Sequence, residues 1–253
     1  MTEKVAIVTG AARGIGLATT KLFCADGWSV AMVDNDEPEL QTAATEVGKT
    51  GDVIALSHDV SIPEQVDSIF EAVGKQWGRV DALVNNAGVA DFRPLQDTGY
   101  EVWRRVFANN LDAVFLCSQT ATPWLAKSEG VIVNIASISG LRASTLRVAY
   151  GTSKAAVMHL TKQQAAELGE HNIRVNCIAP GPVKTKLSIA VHSEEIINAY
   201  HDAIPLNRYG SEQEIANVIC FLCSDKASYV SGQVVAVDGG FESTGIGLPA
   251  LRS

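Results

Sequence analysis

The chain has 253 residues, of which 47% are hydrophobic and 19% are charged, and its formal net charge is −8. This composition is typical of a globular protein with a large core, and it argues against disorder over most of the chain. Because the Lys and Arg residues are scattered, nucleic acid and anionic membranes are poor candidate partners. The apolar run at residues 5–8 is too short for a signal peptide or a membrane span, so we expect a cytoplasmic protein.

Seven short apolar runs rich in β-branched residues recur along the chain, and each is predicted to be a strand. They are residues 4–9, 29–34, 52–57, 81–86, 130–137, 173–179 and 232–238. Runs that are apolar on both faces are typical of a parallel sheet covered on two sides. Segments of helical period lie between them, including residues 14–27, 63–78 and 150–172. The sequence therefore predicts an α/β protein with helices on both faces of a parallel sheet.

The predicted strands are evenly spread, and no Pro-, Gly- or Ser-rich linker divides them, so residues 1–253 are interpreted as one domain. Residues 182–210 are longer than a usual crossover between strands, and we predict that they form a lid over a site. The apolar tail at residues 242–253 does not continue the alternation of strand and helix. It is expected to be either frayed or docked on a neighbouring subunit.

The cysteines and histidines do not predict a disulfide framework or a metal site. The five cysteines are odd in number and dispersed, which argues against paired disulfides. Cys220 and Cys223 form a CxxC motif in an apolar helical run without a basic neighbour, which favours packing over redox chemistry. The five histidines show neither an HExxH pattern nor pairing with cysteines at metal-ligand spacing, so no catalytic metal is predicted.

The first predicted strand leads directly into the sequence TGAARGIG at residues 9–16, which precedes an apolar-periodic helix. Gly10, Gly14 and Gly16 would allow a tight turn, close approach to a diphosphate and packing of the helix on the sheet. The helix N-terminus would offer free amides to the anion. This pattern predicts a dinucleotide-binding loop.

An acidic residue, Asp34, ends the second predicted strand, 18 positions after Gly16. A carboxylate there can accept hydrogen bonds from the adenosine ribose and repel a 2'-phosphate, which favours NAD over NADP. The alternative is an aspartate that only terminates a strand. Arg13 instead favours NADP, because a cation in the glycine loop could bind a 2'-phosphate. We give more weight to Asp34, since it would lie against the ribose, and predict NAD with NADP left open.

The three glycines are more widely spaced than in a GxGxxG loop, and their spacing resembles that of the short-chain dehydrogenase/reductase family. Further motifs similar to those of the family follow in order. They are DV at 59–60, NNAG at 85–88, NNL at 109–111, NIAS at 134–137, YGTSK at 150–154, PGPVKT at 180–185 and SGQVVAVDGG at 231–240. The resemblance covers about residues 4–241 and fits the classical branch of the family best.

The resemblance implies a doubly wound Rossmann fold with seven strands in the order 3-2-1-4-5-6-7. Its cofactor half would be about residues 1–138 and its catalytic half about residues 139–241. A homotetramer formed through the helices around Asn110 and Tyr150 is also implied.

Four catalytic residues are implied by the resemblance: Asn110, Ser137, Tyr150 and Lys154. Tyr150 would exchange a proton with the substrate, Ser137 would hydrogen-bond the substrate oxygen, Lys154 would hold the nicotinamide ribose, and Asn110 would position a relay water. Lys154 would lie one helical turn after Tyr150, where an ammonium lowers the pKa of a phenol. Without the other motifs, a Tyr and a Lys four residues apart are common, and Asn110 could be a helix amide satisfied by backbone.

The glycine loop and the resemblance together imply a set of cofactor-binding residues along the strand ends. The set is Gly10, Arg13, Gly14, Ile15, Gly16, Asp34, Asp59, Val60, Asn86, Ala87, Gly88, Tyr150, Lys154, Pro180, Gly181, Val183 and Thr185.

The substrate pocket is predicted to be lined by the chain segment between Ser137 and Tyr150 and by the lid. Candidate substrate residues are Ser137, Ser139, Arg142, Arg147, Tyr150 and Leu187. The two arginines could recognise an acidic or heavily hydroxylated substrate, although isolated arginines are more often solvated.

The predicted function is NAD(H)-dependent hydride transfer between nicotinamide and a small-molecule secondary alcohol or ketone, such as a polyol, sugar or hydroxy acid. Two alternatives stay open. One is an NADPH-dependent 3-oxoacyl thioester reductase, which Arg13 favours and Asp34 opposes. The other is a dinucleotide-sensing regulator or scaffold, and the complete set of Ser137, Tyr150 and Lys154 argues against it.

Overall fold

The structure is a computed structural model that describes residues 4–185 and 193–245. The strands are β1 (Val5–Thr9), β2 (Ser29–Asp34), β3 (Val53–Ser57), β4 (Ala82–Asn85), β5 (Val131–Ile135), β6 (Arg174–Pro180) and β7 (Val234–Val237). The helices are α1 (Gly14–Ala25), α2 (Glu37–Val47), α3 (Pro63–Gln76), α4 (Tyr100–Phe107), α5 (Ala113–Ser128), α6 (Ile138–Leu141), α7 (Val148–Leu168), α8 (Glu194–Ala203) and α9 (Glu212–Cys223). A π-helical turn (Ala108–Asp112) joins α4 to α5.

All seven strands belong to one sheet, in which every neighbouring pair is parallel. The strand order is 3-2-1-4-5-6-7, so the predicted order is confirmed. Each strand begins and ends within two residues of its predicted run. The agreement has a simple cause, because only strands covered on both faces need apolar residues at consecutive positions.

Alternate residues of the central strands pack into two apolar layers, one on each face of the sheet. Val8 of β1 lies in the same buried cluster as Phe23 of α1. Ile7, one position earlier, lies in a second cluster with Phe70 of α3 and Leu125 of α5. Burial of a side chain such as Phe23 contributes roughly 1.5–3 kcal/mol, so both faces of the sheet stabilise the fold.

The strand order reverses between β1 and β4, which are neighbours in the sheet although β2 follows β1 in the chain. In open parallel sheets a ligand crevice forms outside the carboxyl ends of the strands at such a reversal. The segments that follow Thr9 and Asn85 therefore meet at one end of the sheet.

A buried polar network fixes the strands beside this crevice. Asn85 and Asn134 are opposite each other in the pairing of β4 with β5. Asn85 Nδ2 donates to Asn134 Oδ1 at 2.9 Å and to Ser118 Oγ at 3.1 Å. Asn134 Nδ2 donates to Thr161 Oγ1 and Gln164 Oε1, both at 3.0 Å. Buried amides with such partners hold α5 and α7 in register with the sheet.

The predicted lid is described in part. Val183 and Gly210 form an isolated parallel bridge at its base, and α8 lies between them in the chain. Residues 186–192, which include the candidate substrate residue Leu187, lie outside the described residues, as do residues 246–253 of the predicted tail.

The five cysteines are free thiols: Cys24, Cys117, Cys177, Cys220 and Cys223. Burial raises the pKa of the Cys220 thiol to about 12 and also raises that of Cys223. Redox-active thiols show the opposite shift, so the CxxC of α9 fits the predicted packing role.

No helix in the described part of the chain combines the length and apolar character needed to cross a bilayer. Over residues 4–185 and 193–245, no three His, Cys, Asp or Glu side chains are grouped as metal ligands.

Candidate active site

The loop between β1 and α1 packs closely against the segment after β4. Gly10 has φ +64°, and a Cβ atom there would lie 2.8 Å from Asn86 Nδ2. A Cβ atom on Gly16 would lie 2.1 Å from the Gly10 carbonyl oxygen. Helix α1 begins at Gly14, and Arg13 before it makes no side-chain cap hydrogen bond. The first amides of α1 are thus available to an anion, and the loop fits a diphosphate.

Thr9 and Asn86 join the two loops across the crevice. Asn86 Nδ2 donates to the carbonyl oxygens of Thr9 at 2.9 Å and Gly10 at 3.1 Å. Thr9 Oγ1 accepts from the backbone amides of Asn86 and Ala87, both at 3.0 Å. Thr9 is buried and was not among the predicted site residues. A hydroxyl at the end of a buried strand, directly before a glycine loop, is the signal that could have identified it.

Asp34 lies half-buried at the carboxyl end of β2, with its carboxylate held by backbone amides. Its Oδ2 accepts from the Ala12 amide and its Oδ1 from the Asp36 amide, both at 3.1 Å. Arg13 forms an ion pair with Asp36. The cation that could have favoured a 2'-phosphate is therefore partnered by a carboxylate, while Asp34 faces the cleft.

A cleft of about 860 Å³ runs along these strand ends. Predicted cofactor residues that line it are Gly10, Arg13, Gly14, Ile15, Asp34, Asp59, Val60, Asn86, Ala87, Gly88 and Thr185. Lining residues that were not predicted from the sequence include Glu39, His58, Asn109 and Glu212. Gly16 is buried behind the loop, so its place in the site is structural.

A smaller cavity of about 270 Å³ adjoins the cleft, since Ile15, Asn86, Gly88 and Thr185 line both. The remaining predicted residues that meet there are Ser137, Arg147, Tyr150, Lys154, Pro180, Gly181 and Val183. Phe92, from the segment after β4, also lines it. The predicted proton-transfer groups are thus placed beside the predicted nicotinamide end of the cleft.

Ser137 and Tyr150 are brought together from different elements. Ser137 caps the N-terminus of α6, where its Oγ accepts from the Ser139 amide at 3.2 Å. Tyr150 lies in the first turn of α7 and lines the same cavity as Ser137, whose hydroxyl lowers the pKa of the phenol. A hydroxyl and a phenol that line one cavity can both hydrogen-bond the oxygen of one substrate.

Lys154 is 4% exposed, and its Nζ donates to the Ile135 carbonyl oxygen at 2.8 Å. Burial lowers the pKa of this ammonium to about 8. The centroid of the Tyr150 ring lies 5.9 Å from the same Nζ. Lys154 is therefore near the phenol and is directly bonded to the end of β5.

Asn110 lies in the π-helical turn and is fully buried. Its side chain makes two hydrogen bonds with the backbone of Val89. Oδ1 accepts from the amide at 2.8 Å, and Nδ2 donates to the carbonyl at 3.0 Å. Nδ2 also donates to Ser153 Oγ at 3.0 Å. Asn110 and Lys154 both pack against Gly88, since a Cβ atom there would lie 2.9 Å from Asn110 Oδ1 and 3.3 Å from Lys154 Nζ. The amide of Asn110 is therefore satisfied by backbone and also lies beside the candidate catalytic lysine. Short π-helical segments often mark functional sites.

The electrostatics of Tyr150 differ from the expectation that Lys154 lowers its pKa. Burial raises the pKa of the Tyr150 phenol, while the hydrogen bond with Ser137 and the charge of Arg147 lower it. Lys154 is not a cause of the shift in the Tyr150 pKa, since its ammonium is itself desolvated and bonded to the Ile135 carbonyl.

The candidate substrate residues separate into two groups. Ser137, Arg147 and Tyr150 line the smaller cavity. Ser139 bonds to Ser144 at 3.1 Å. Arg142 is exposed and donates to the Phe241 carbonyl at 2.6 Å, so the structure directs it to the C-terminal segment.

The buried Lys154 predicts a pH-dependent stability. Its pKa falls from an ordinary value of 10.5 to about 8 on folding. Between these values the unfolded chain binds a proton that the folded chain does not, so the free energy of unfolding rises with pH. We expect wild type to gain about 3 kcal/mol relative to Lys154→Met over this interval. Urea denaturation of both proteins between pH 7 and about 10.5 measures the difference, and a constant difference contradicts the prediction.

Comparisons with known proteins agree with this geometry. A family profile described as enoyl-(acyl carrier protein) reductase matches residues 10–242. The chain is 39% identical over 239 residues to a 3-oxoacyl-[acyl-carrier-protein] reductase of Thermotoga maritima, covering 94% of this chain and 97% of the relative. It is 36% identical to meso-2,3-butanediol dehydrogenase of Serratia marcescens over 238 residues, covering 94% of both chains.

Solved structures are similar over nearly the whole chain. A 7α-hydroxysteroid dehydrogenase complexed with NADH and 7-oxo glycochenodeoxycholic acid has a TM-score of 0.91 and 36% identity, covering 94% of both chains. A short-chain type dehydrogenase/reductase from Mycobacterium ulcerans has a TM-score of 0.93 and 30% identity, covering 100% of this chain and 94% of the other. With the motifs, the confirmed strand order and these relatives together, the chain belongs to the short-chain dehydrogenase/reductase family of oxidoreductases.

Proposed function

We propose that this oxidoreductase transfers hydride between NAD(H) and a carbonyl or secondary alcohol carbon, with Tyr150 as the general acid and base. The observation that carries this proposal is that Ser137, Tyr150 and Lys154 line one cavity, which adjoins the dinucleotide cleft. When bound, the nicotinamide dinucleotide supplies or accepts the hydride. In reduction, Tyr150 donates a proton to the carbonyl oxygen, and Ser137 orients that oxygen by a hydrogen bond.

The other two predicted catalytic residues would support this step. Lys154 would hold the nicotinamide ribose from its position beside the Ile135 carbonyl. Asn110 would keep the segment after β4 in place through Val89 and would position a relay water. The complete set argues against a regulator or scaffold that has lost catalysis.

For the substrate, we propose a 3-oxoacyl thioester. The relatives named 3-oxoacyl-[acyl-carrier-protein] reductase favour this predicted alternative over a polyol or sugar. Phe92, Leu141 and Leu146 expose apolar surface on the segments around the smaller cavity, which suits an acyl chain.

A small secondary alcohol or hydroxy ketone is the second candidate. The butanediol dehydrogenase favours it, and so does the position of Asp34, which opposes the NADPH expected for the thioester alternative. The NADH-bound steroid dehydrogenase also supports a preference for NAD(H).

Cofactor choice is tested by Asp34→Ala. Loss of a charged hydrogen-bond acceptor for the ribose is worth about 1.5–3 kcal/mol, so we expect the preference for NAD over NADP in kcat/KM to fall roughly ten- to hundredfold. Asp36→Asn is the matched variant, because it frees Arg13 and leaves Asp34 in place. An unchanged preference in Asp34→Ala, with NADP use gained in Asp36→Asn, would assign the choice to Arg13.

Substrate identity is tested with a matrix of carbonyl compounds and both reduced cofactors, followed by nicotinamide absorbance. We expect 3-oxoacyl thioesters to give a higher kcat/KM with NADH than diketones, sugars, keto acids or oxosteroids. A higher value for a small hydroxy ketone would replace the thioester by the second candidate. Binding of dinucleotide without turnover of any compound would favour the regulator.

The homotetramer implied by the resemblance stays a prediction. Tyr100 on α4 and Phe115 on α5 are large exposed apolar side chains on the two helices that flank the π-helical turn of Asn110, which supports contact between subunits through these helices. Light scattering coupled to size exclusion measures the assembly state. The cytoplasmic location also stays an expectation.

A further inference from the structure

Arg147 occupies an unusual place at the edge of the catalytic cavity. It directly precedes α7, one helical turn before Tyr150, and it is half-buried. Its Cζ atom lies 4.2 Å from the centroid of the Phe92 ring and 5.5 Å from that of Tyr150. The guanidinium thus contacts one aromatic ring at the cavity wall and approaches the ring that carries the reactive phenol.

The backbone around Arg147 holds it in this position. The Arg93 amide donates to the Leu146 carbonyl at 3.0 Å, and Arg93 and Arg147 form an isolated parallel bridge. Leu146 adopts φ +63°, a left-handed conformation that is uncommon for leucine and that recurs at functional sites. The segment carrying Phe92 is thereby attached to the turn that carries Arg147.

In the described part of the chain, Arg147 is not paired with a carboxylate. Within residues 4–185 and 193–245, no ion pair joins Arg147 to Asp or Glu, whereas its neighbours Arg93 and Arg105 both pair with Asp91. An arginine that is held at a cavity by an aromatic ring and is not paired with a carboxylate attracts any anion that forms in that cavity.

We propose that Arg147 is a positioning residue whose permanent charge stabilises the ionised form of Tyr150 during proton transfer. The proposal rests on the proposed role of Tyr150 as the general acid and base. A cation near a phenolate interacts with its charge directly, and it does so without itself gaining or losing a proton.

The other described charged and titratable groups around Tyr150 do not supply a permanent positive charge both below and above pH 8. Lys154, on α7 itself, loses its proton near pH 8. Cys177 of β6 lies near Lys154, and burial raises the pKa of its thiol to about 11, so it is neutral. On the segment after β4, Arg93 is paired with Asp91. Ser137, from the end of β5, contributes a hydrogen bond without a charge.

The first test is the pH dependence of alcohol oxidation by the Arg147→Gln holoenzyme. We expect the pKa that controls kcat to rise by about one unit, because the Arg147 charge, 5.5 Å from the centroid of the Tyr150 ring, is half-exposed and therefore partly screened. Below this pKa the rate should fall about tenfold, and at high pH the two profiles should converge. Arg147→Lys should return this pKa most of the way to the wild-type value, because lysine keeps the positive charge. Lys162→Gln is the control, since it removes an exposed charge from the same helix and should leave the profile unchanged.

A second readout does not depend on turnover. Nuclear magnetic resonance of isotope-labelled tyrosine ring carbons, in protein with bound NAD, follows ionisation of Tyr150, and the Tyr150→Phe spectrum assigns its signal. We expect the same upward shift in Arg147→Gln. Should that variant fail to fold, Phe92→Leu is used, because it removes the 44% exposed ring that Arg147 contacts. Arg147 would then be held less closely to Tyr150, and the pKa of Tyr150 should shift by a smaller amount in the same direction.

The outcomes separate this inference from the proposed function. An unchanged profile and an unchanged resonance titration in Arg147→Gln would overturn the inference, provided that Tyr150→Phe is folded and inactive. A higher KM with an unshifted profile would also overturn it, and would assign Arg147 to substrate binding. Activity in Tyr150→Phe would instead remove the proposed function itself.

Discussion

Tyr150→Phe is expected to lower kcat by about two to four orders of magnitude while leaving the fold and dinucleotide binding intact. General acid catalysis contributes a factor of this size, and phenylalanine keeps the ring while removing the proton. The ring supports Arg147 from one side and packs at the first turn of α7, so its retention preserves the local structure. Steady-state kinetics and titration with NADH measure the two properties separately.

A matched control uses Tyr229→Phe, which removes the same hydroxyl from a fully exposed side chain. We expect wild-type turnover from it. Comparable turnover of Tyr150→Phe and Tyr229→Phe would show that the phenol of Tyr150 is not the acid and base. A loss of NADH binding in Tyr150→Phe would show that the substitution acts through the cofactor.

Gly16→Ala is expected to lower the free energy of unfolding by about 1–3 kcal/mol or more and to weaken NADH binding severely. The added Cβ atom would lie 2.1 Å from the Gly10 carbonyl oxygen and 2.7 Å from Asn86 Nδ2. The first neighbour is backbone of the dinucleotide loop, and the second carries the bonds that join this loop to β4. Relief of the clash must therefore displace the loop from the amides of α1.

Two alanine variants separate crowding from other effects of losing a glycine. A Cβ atom on Gly99 meets nothing within 4 Å, and its φ of −65° suits any residue, so Gly99→Ala should lose only the roughly 0.5–1 kcal/mol by which alanine is poorer than glycine at an N-cap. Gly14 has φ +62° but faces open space apart from Glu212 Oε1 at 3.7 Å. Gly14→Ala should lose roughly 1–2 kcal/mol from backbone strain. Chemical denaturation ranks the three variants, and equal stability for Gly16→Ala and Gly99→Ala would contradict the steric argument.

The fold was predictable from the sequence because its signals are local. A strand covered on both faces needs consecutive apolar residues, and residues 5–8 and 131–133 show this directly. Helix and strand periods alternate along the chain, and the spacing of Gly10, Gly14 and Gly16 identifies the first loop as a dinucleotide-binding loop. The order of the strands came with the resemblance, and the hydrogen-bonded pairs confirm it.

Side-chain partners at the site were less predictable. Thr9 and Asn86 are 77 positions apart, and only the pairing of β1 with β4 brings them together. The ion pair of Arg13 with Asp36 likewise depends on how the glycine loop lies against the end of β2. Such contacts leave no periodic pattern in the chain, since each depends on the register between separate elements.

The clearest contrast is between Arg142 and Arg147, two arginines in one predicted substrate segment. By itself, the sequence determined the fold class, the dinucleotide loop and the identity of the groups available for proton transfer. Only the tertiary structure directed Arg142 to the carbonyl of Phe241 and Arg147 to the cavity beside Tyr150. The physical reason is that side-chain type is encoded locally, whereas the direction of a side chain and the charge that it meets depend on packing between elements remote in the chain.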